Sequence, residues 1–167
     1  ANHYIGYDAP VRLPMKLATA ARGTVTATVF LGVCKDICIP VQAELMVESG
    51  SEGFINPLEE TAVTAAEAAL PGATSNDFRP INGRWSADGK TISVRFEAPS
   101  EGVPTDVFLS GVPFEFGAAG PVRRDGDAFV ADVPVLHRPK VFDLAKTPIQ
   151  LTLRSGEKTM EAPLAIE

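Results

Sequence analysis

The residues in this sequence with the clearest capacity for chemistry are Cys34 and Cys38, its two cysteines, separated by Lys35-Asp36-Ile37. A pair of thiols at this spacing supports three kinds of chemistry. It can cycle between dithiol and disulfide, because a thiolate attacks a disulfide sulfur and a neighbouring thiol resolves the mixed disulfide. It can form a permanent staple. It can also hold Cu(I) between two soft thiolates. Lys35 is placed to favour a thiolate and Asp36 to oppose it, or both simply solvate the loop. Two cysteines are too few for a disulfide scaffold, and two histidines too few for a conventional zinc site.

The flanking sequence says what positions the pair. Odd positions from Val25 to Val33 are apolar (Val25, Ala27, Val29, Leu31, Val33), as are Ile39, Val41, Ala43, Leu45 and Val47. The intervening positions are mostly polar, and this period of two marks a half-buried strand on each side of the cysteine loop. Folding the two antiparallel with Cys34 opposite Cys38 sets Val33 against Ile39, Leu31 against Val41, Val29 against Ala43, Ala27 against Leu45 and Val25 against Val47. Every pair is apolar on both strands, and such agreement fixes a register. Parity then puts both cysteines on the other, largely polar face. Opposed residues in an antiparallel pair have Cα atoms roughly 4.5–5.5 Å apart, within reach of a disulfide. The predicted tip, Lys35-Asp36-Ile37, carries β-branched Ile37 where a three-residue loop ordinarily wants glycine, so a wider or strained turn is expected.

Around this hairpin, Val11 to Leu17 alternates and predicts another strand, with Pro14 marking an edge or bulge. Ser49-Gly50-Ser51-Glu52-Gly53 predicts a break. Asn56-Pro57-Leu58-Glu59-Glu60 predicts a helix start, with an N-cap, proline at the first helical position and acidic residues in the first turn. The helix should run to about Leu70, where Pro71-Gly72 stops it. From Ser75 onward strands return at short spacing, with turns at Asp88-Gly89, Asp125-Gly126 and Ser155-Gly156. The expected fold class is mostly β: two β-sandwich modules joined by a short helix. The modules are residues 1–50, carrying the cysteines, and 75–167, with a linker over 51–74 and its helix over about 57–70. Only about three strands precede residue 50, so the first module is expected to be the C-terminal part of a sandwich begun upstream or to share a sheet with the rest.

Composition narrows the function. Of 167 residues, 45% are hydrophobic and 22% charged, a globular balance. A net charge of −6 leaves no basic stripe for nucleic acid. No apolar run approaches the ~20 residues that span a bilayer. The start at Ala1-Asn2 fits a soluble piece of a larger protein, with targeting and anchoring segments elsewhere. His3 and His137 lie in no metal spacing with a cysteine and read as surface or locally bonded residues. Phe78, Trp85, Phe108, Phe114, Phe116 and Phe129 read as core of the second module rather than a ligand box. No phosphate loop, nucleophile elbow or paired-carboxylate signature is present, and no cofactor is expected.

The run Gly32-Val33-Cys34-Lys35-Asp36-Ile37-Cys38-Ile39-Pro40, preceded by Tyr7-Asp8-Ala9-Pro10-Val11-Arg12-Leu13-Pro14, resembles the amino-terminal periplasmic domain of the DsbD/ScsB family of transmembrane thiol–disulfide reductases. The three-residue spacing favours the ScsB-like branch, and the resemblance centres on residues 4–48. It implies an immunoglobulin-like sandwich in the periplasm, a soluble domain of an inner-membrane protein. Such a domain takes electrons from the transmembrane domain of its own parent and reduces thioredoxin-fold partners. It further implies that Cys38 attacks the partner disulfide while Cys34 resolves, and that Tyr4 and Tyr7 are a remnant of the family's cysteine-shielding cap loop. Two readings compete: a non-catalytic binding module with a structural disulfide, and a Cu(I) site in which Met15 or Met46 approaches the thiolates.

Overall fold

A computed structural model describes residues 6–7, 9–19, 22–49, 56–99, 105–143 and 147–167. The chain forms two compact units, Arg12–Ala68 and Ala69–Glu167, the latter taking in Ala1–Val11.

In the first unit, β1 (Gly23–Cys34) pairs antiparallel with β2 (Cys38–Ser49) as a two-stranded sheet. The register is the one the apolar pattern dictates, from Val25↔Val47 through Val29↔Ala43 and Val33↔Ile39 to Cys34↔Cys38. Burial departs from expectation. Val25, Ala27 and Val29 are half-buried, but Leu31, Val33, Ile39, Leu45 and Val47 are each at least 50% exposed. Two strands alone have no second layer to cover an apolar face. The expected strand over Val11–Leu17 does not form: these residues are outside any ladder, with Leu13 and Met15 exposed. Alternation supplies a face, but a strand also needs a partner for its backbone groups, and Pro14 removes one donor.

Helix α1 (Pro57–Ala68) starts as its sequence requires. The Asn56 side-chain oxygen accepts from the Leu58 amide at 3.1 Å, and the Asn56 carbonyl accepts from the Glu60 amide at 3.0 Å. Glu59 and Glu60 lie in the first turn, where the unpaired amides favour negative charge. The helix ends at Ala68, two residues short of Leu70. Of the predicted break at Ser49–Gly53, Ser49 ends β2 and residues 50–53 lie outside the described residues.

The second unit is a sandwich of two antiparallel sheets. One orders β3 (Arg79–Trp85), β4 (Thr91–Glu97), β8 (Ala128–His137) and β6 (Glu115–Phe116), with β7 (Arg123–Asp125) also on β8. The other orders β10 (Lys158–Leu164), β9 (Ile149–Ser155) and β5 (Thr105–Ser110). Gly126 and Gly156 adopt φ of 63° and 61° in the tight turns β7–β8 and β9–β10, conformations that the missing Cβ makes accessible. Between the sheets, Ile92, Val94, Phe96, Val133, Leu151, Leu153 and Met160 are completely enclosed. Phe78 and Phe114 join this core, Trp85, Phe116 and Phe129 pack against it, and Phe108 is half-buried, so the aromatic residues are structural. On the outer face, Asp132 accepts from the Ser93 hydroxyl at 2.6 Å and Arg123 at 2.7 Å, which holds its carboxyl below the ordinary range. The mostly β, sandwich character expected of the chain is therefore found.

Candidate redox site at the hairpin tip

The two cysteines close the last rung of the β1–β2 ladder as a disulfide. Their Cα atoms are 4.0 Å apart, closer than the roughly 4.5–5.5 Å of unbridged opposed residues. Lys35, Asp36 and Ile37 round the tip, with the Lys35 amide donating to the Ile37 carbonyl at 3.2 Å. Among the described residues no non-glycine residue has positive φ, so Ile37 does not take the left-handed conformation that a standard three-residue loop demands. Both cysteines and all three tip residues are exposed. A thiolate from another molecule therefore has a solvent path to the sulfur atoms, which exchange requires.

Next to the disulfide, on the same face, Gly32 pairs with Pro40 and then Phe30 with Gln42. Cys38, Gly32, Pro40, Phe30 and Gln42, with Leu31 and Val41 between them along the strands, line a shallow groove. Phe30 is 71% exposed, so its ring is held out at the surface. Gly32 and Pro40 are the two residues a strand interior tolerates least, and they face one another in a ladder that shows no bulge there. The glycine is not required by the backbone, since its φ is not among the positive ones. A Cβ on it would meet only Cys34 Sγ, at an ordinary 3.9 Å. It costs the strand about 0.5–1 kcal/mol relative to alanine with no conformational return. In the sequence, Gly32 and Pro40 enter only as part of the family resemblance and neither is assigned a role, although a glycine inside an apolar strand run was the available signal.

The other candidates do not converge on the pair. Among the described residues no group of three or more His, Cys, Asp or Glu side chains is placed to hold a metal. Met46 lies eight residues along β2 from Cys38, about 27 Å in an extended strand, too far to share an ion with it. Met15 is exposed outside any element. His137 is exposed at the end of β8, opposite Glu115, and His3 lies outside the described residues. Tyr7 is 79% exposed, and Tyr4 also lies outside the described residues. Among the described residues no helix is long and apolar enough to cross a membrane.

No protein-family model and no curated protein matches the chain. A solved structure does: the crystal structure of the N-terminal periplasmic domain of ScsB from Proteus mirabilis. It is 13% identical, superposes with a TM-score of 0.58 and covers 85% of this chain. The chain in turn spans 57% of that one, and at this identity the likeness is one of fold. Over most of its length the fold of this chain is thus similar to that of a ScsB amino-terminal periplasmic domain, with a disulfide at an exposed hairpin tip.

Proposed function

We propose that the chain is a periplasmic thiol–disulfide exchange domain, passing electrons from a membrane-embedded reductase to thioredoxin-fold partners through Cys34 and Cys38. The observation that carries this reading is the position of the disulfide: the exposed end rung of a hairpin already registered by five apolar pairs. As a staple the bond achieves little. In the chain-entropy model a five-residue loop contributes only ~2 kcal/mol, against ~4.7 for a hundred-residue loop. As an exchange site the position suits the chemistry, since the sulfurs are reachable and the strands hold the two thiols together after reduction. The fold likeness to the N-terminal periplasmic domain of ScsB supports the same assignment.

The mechanism needs no cofactor. In the reduced chain the Cys38 thiolate attacks one sulfur of the partner disulfide, and the partner's other sulfur leaves as a thiolate and takes up a proton. The Cys34 thiolate then attacks Cys38 Sγ, displacing the second partner thiol and closing the Cys34–Cys38 bond. Two electrons move to the partner, and a dithiol of the parent's membrane domain restores them by the reverse exchange. A β-hairpin offers no helix N-terminus to depress a thiolate pKa, so apposition and docking must supply more of the rate than in a thioredoxin fold.

Mixing the reduced chain with oxidised DsbA, a thioredoxin-fold oxidant at about −120 mV, then alkylating and weighing both proteins, tests the proposal. The expected result is one intramolecular bond gained by this chain for each DsbA disulfide lost. A Cys34–Cys38 bond that survives millimolar dithiothreitol would favour the structural-disulfide reading instead.

A further inference from the structure

We infer that the groove floored by Gly32 is the docking site for the partner's backbone: an extended protein segment that carries the disulfide cysteine to be attacked. This rests on the exchange reading and specifies how that site chooses its substrate. Three observations identify the occupant. First, the groove is continuous with the disulfide, because Cys38 is part of its lining. Second, it runs along the strands from the cysteine rung past Gly32↔Pro40 to Phe30↔Gln42. That is four residues, or about 13 Å, which matches an extended stretch of some four residues. Third, no charged side chain lines it. A neutral, mostly apolar channel with one amide suits a peptide backbone rather than an ion, and Gln42 can both donate to and accept from that backbone.

Gly32 is the specificity-determining residue. Its missing side chain opens the floor next to the sulfurs, as expected where a second backbone approaches closely. The exposed ring of Phe30 closes the far end, placed to pack against the partner residue beside the cysteine. Pro40 keeps the opposite wall rigid and without an amide donor.

The test compares two oxidants of the reduced full chain: oxidised DsbA, a folded thioredoxin-fold protein and a strong oxidant, and 5,5′-dithiobis(2-nitrobenzoic acid), a small disulfide that needs no groove. Gly32→Val is the main variant, since valine suits a strand and its branched side chain fills the floor. The ratio of the DsbA rate to the small-disulfide rate should fall about tenfold or more, the scale of a misplaced reacting centre. Phe30→Ser, a change at an exposed position, should lower the same ratio several-fold. Reoxidation of each variant to the intramolecular disulfide, read by mass, verifies that the hairpin still forms. If Gly32→Val changes both rates equally or neither, the groove is not the docking site and the inference is overturned. If the unaltered chain fails to reduce oxidised DsbA, the exchange reading itself fails and takes this inference with it.

Discussion

Reduced Cys34→Ser, mixed with an oxidised thioredoxin-fold protein, is expected to accumulate a covalent one-to-one adduct through Cys38, while Cys38→Ser accumulates none. Cys38 lines the groove beside the hairpin and is exposed, so a partner disulfide seated there meets it first. With Cys34 replaced, attack on the partner still occurs, but nothing displaces the reduced partner from the mixed disulfide. With Cys38 replaced, the attacking thiolate is gone. Both variants should lose net two-electron transfer by more than about a thousandfold, because the two sulfurs act as a unit and neither retains a partial function. Non-reducing electrophoresis with mass analysis of the adduct checks the outcome. An adduct through Cys34 in the Cys38→Ser chain, and none in the other, would reverse the assigned roles.

The second large effect concerns the sandwich. Phe96→Ala is expected to destabilise the Ala69–Glu167 unit by about 3–5 kcal/mol, the usual cost of emptying a fully enclosed aromatic site. Phe96 has no exposed surface, stacks with Phe129 at 6.0 Å between ring centroids and belongs to the core between the two sheets. Trp85 is the sole tryptophan and packs against this same core, so its fluorescence reports unfolding of this unit. Denaturant titration should show a lower midpoint with the slope retained. Phe30→Ala, by contrast, removes a ring that is already 71% exposed and should leave this transition where it is.

The hairpin was legible because two independent signals coincide on it. Ten apolar residues at period two leave one register in which all of them pair, and that register puts the cysteines opposite each other. The turns at Asp125-Gly126 and Ser155-Gly156 were legible for a similar reason, since glycine there supplies a backbone conformation other residues resist. The Val11–Leu17 segment shows the limit of such reasoning. It has the right alternation, but a ladder is a property of two segments, and one strand's pattern does not create its partner. The exposed apolar face of the hairpin is a second case, because alternation marks which face is apolar without saying what covers it.

The groove was missed for a different reason. Reading by residue chemistry finds sulfur, imidazole and carboxylate, whereas Gly32 acts through the atoms it lacks. Its meaning emerged only once the ladder showed no bulge and no positive φ to account for it. Opposed to Pro40, two residue pairs from the disulfide and next to it on the same face, it is a stability cost that the proposed docking site accounts for. Reading strand-interior glycine and proline as questions about space, and not only as breakers, would have found it.

The most direct test of the central claim is the reduction potential of the Cys34–Cys38 pair, obtained by equilibrating the chain in graded dithiol buffers and counting alkylated cysteines by mass. Exchange function predicts a fully reversible two-electron couple at roughly −180 to −270 mV, the range of proteins that trade disulfides. A potential below about −300 mV, typical of structural bonds that resist reduction, would contradict it and make the disulfide a staple.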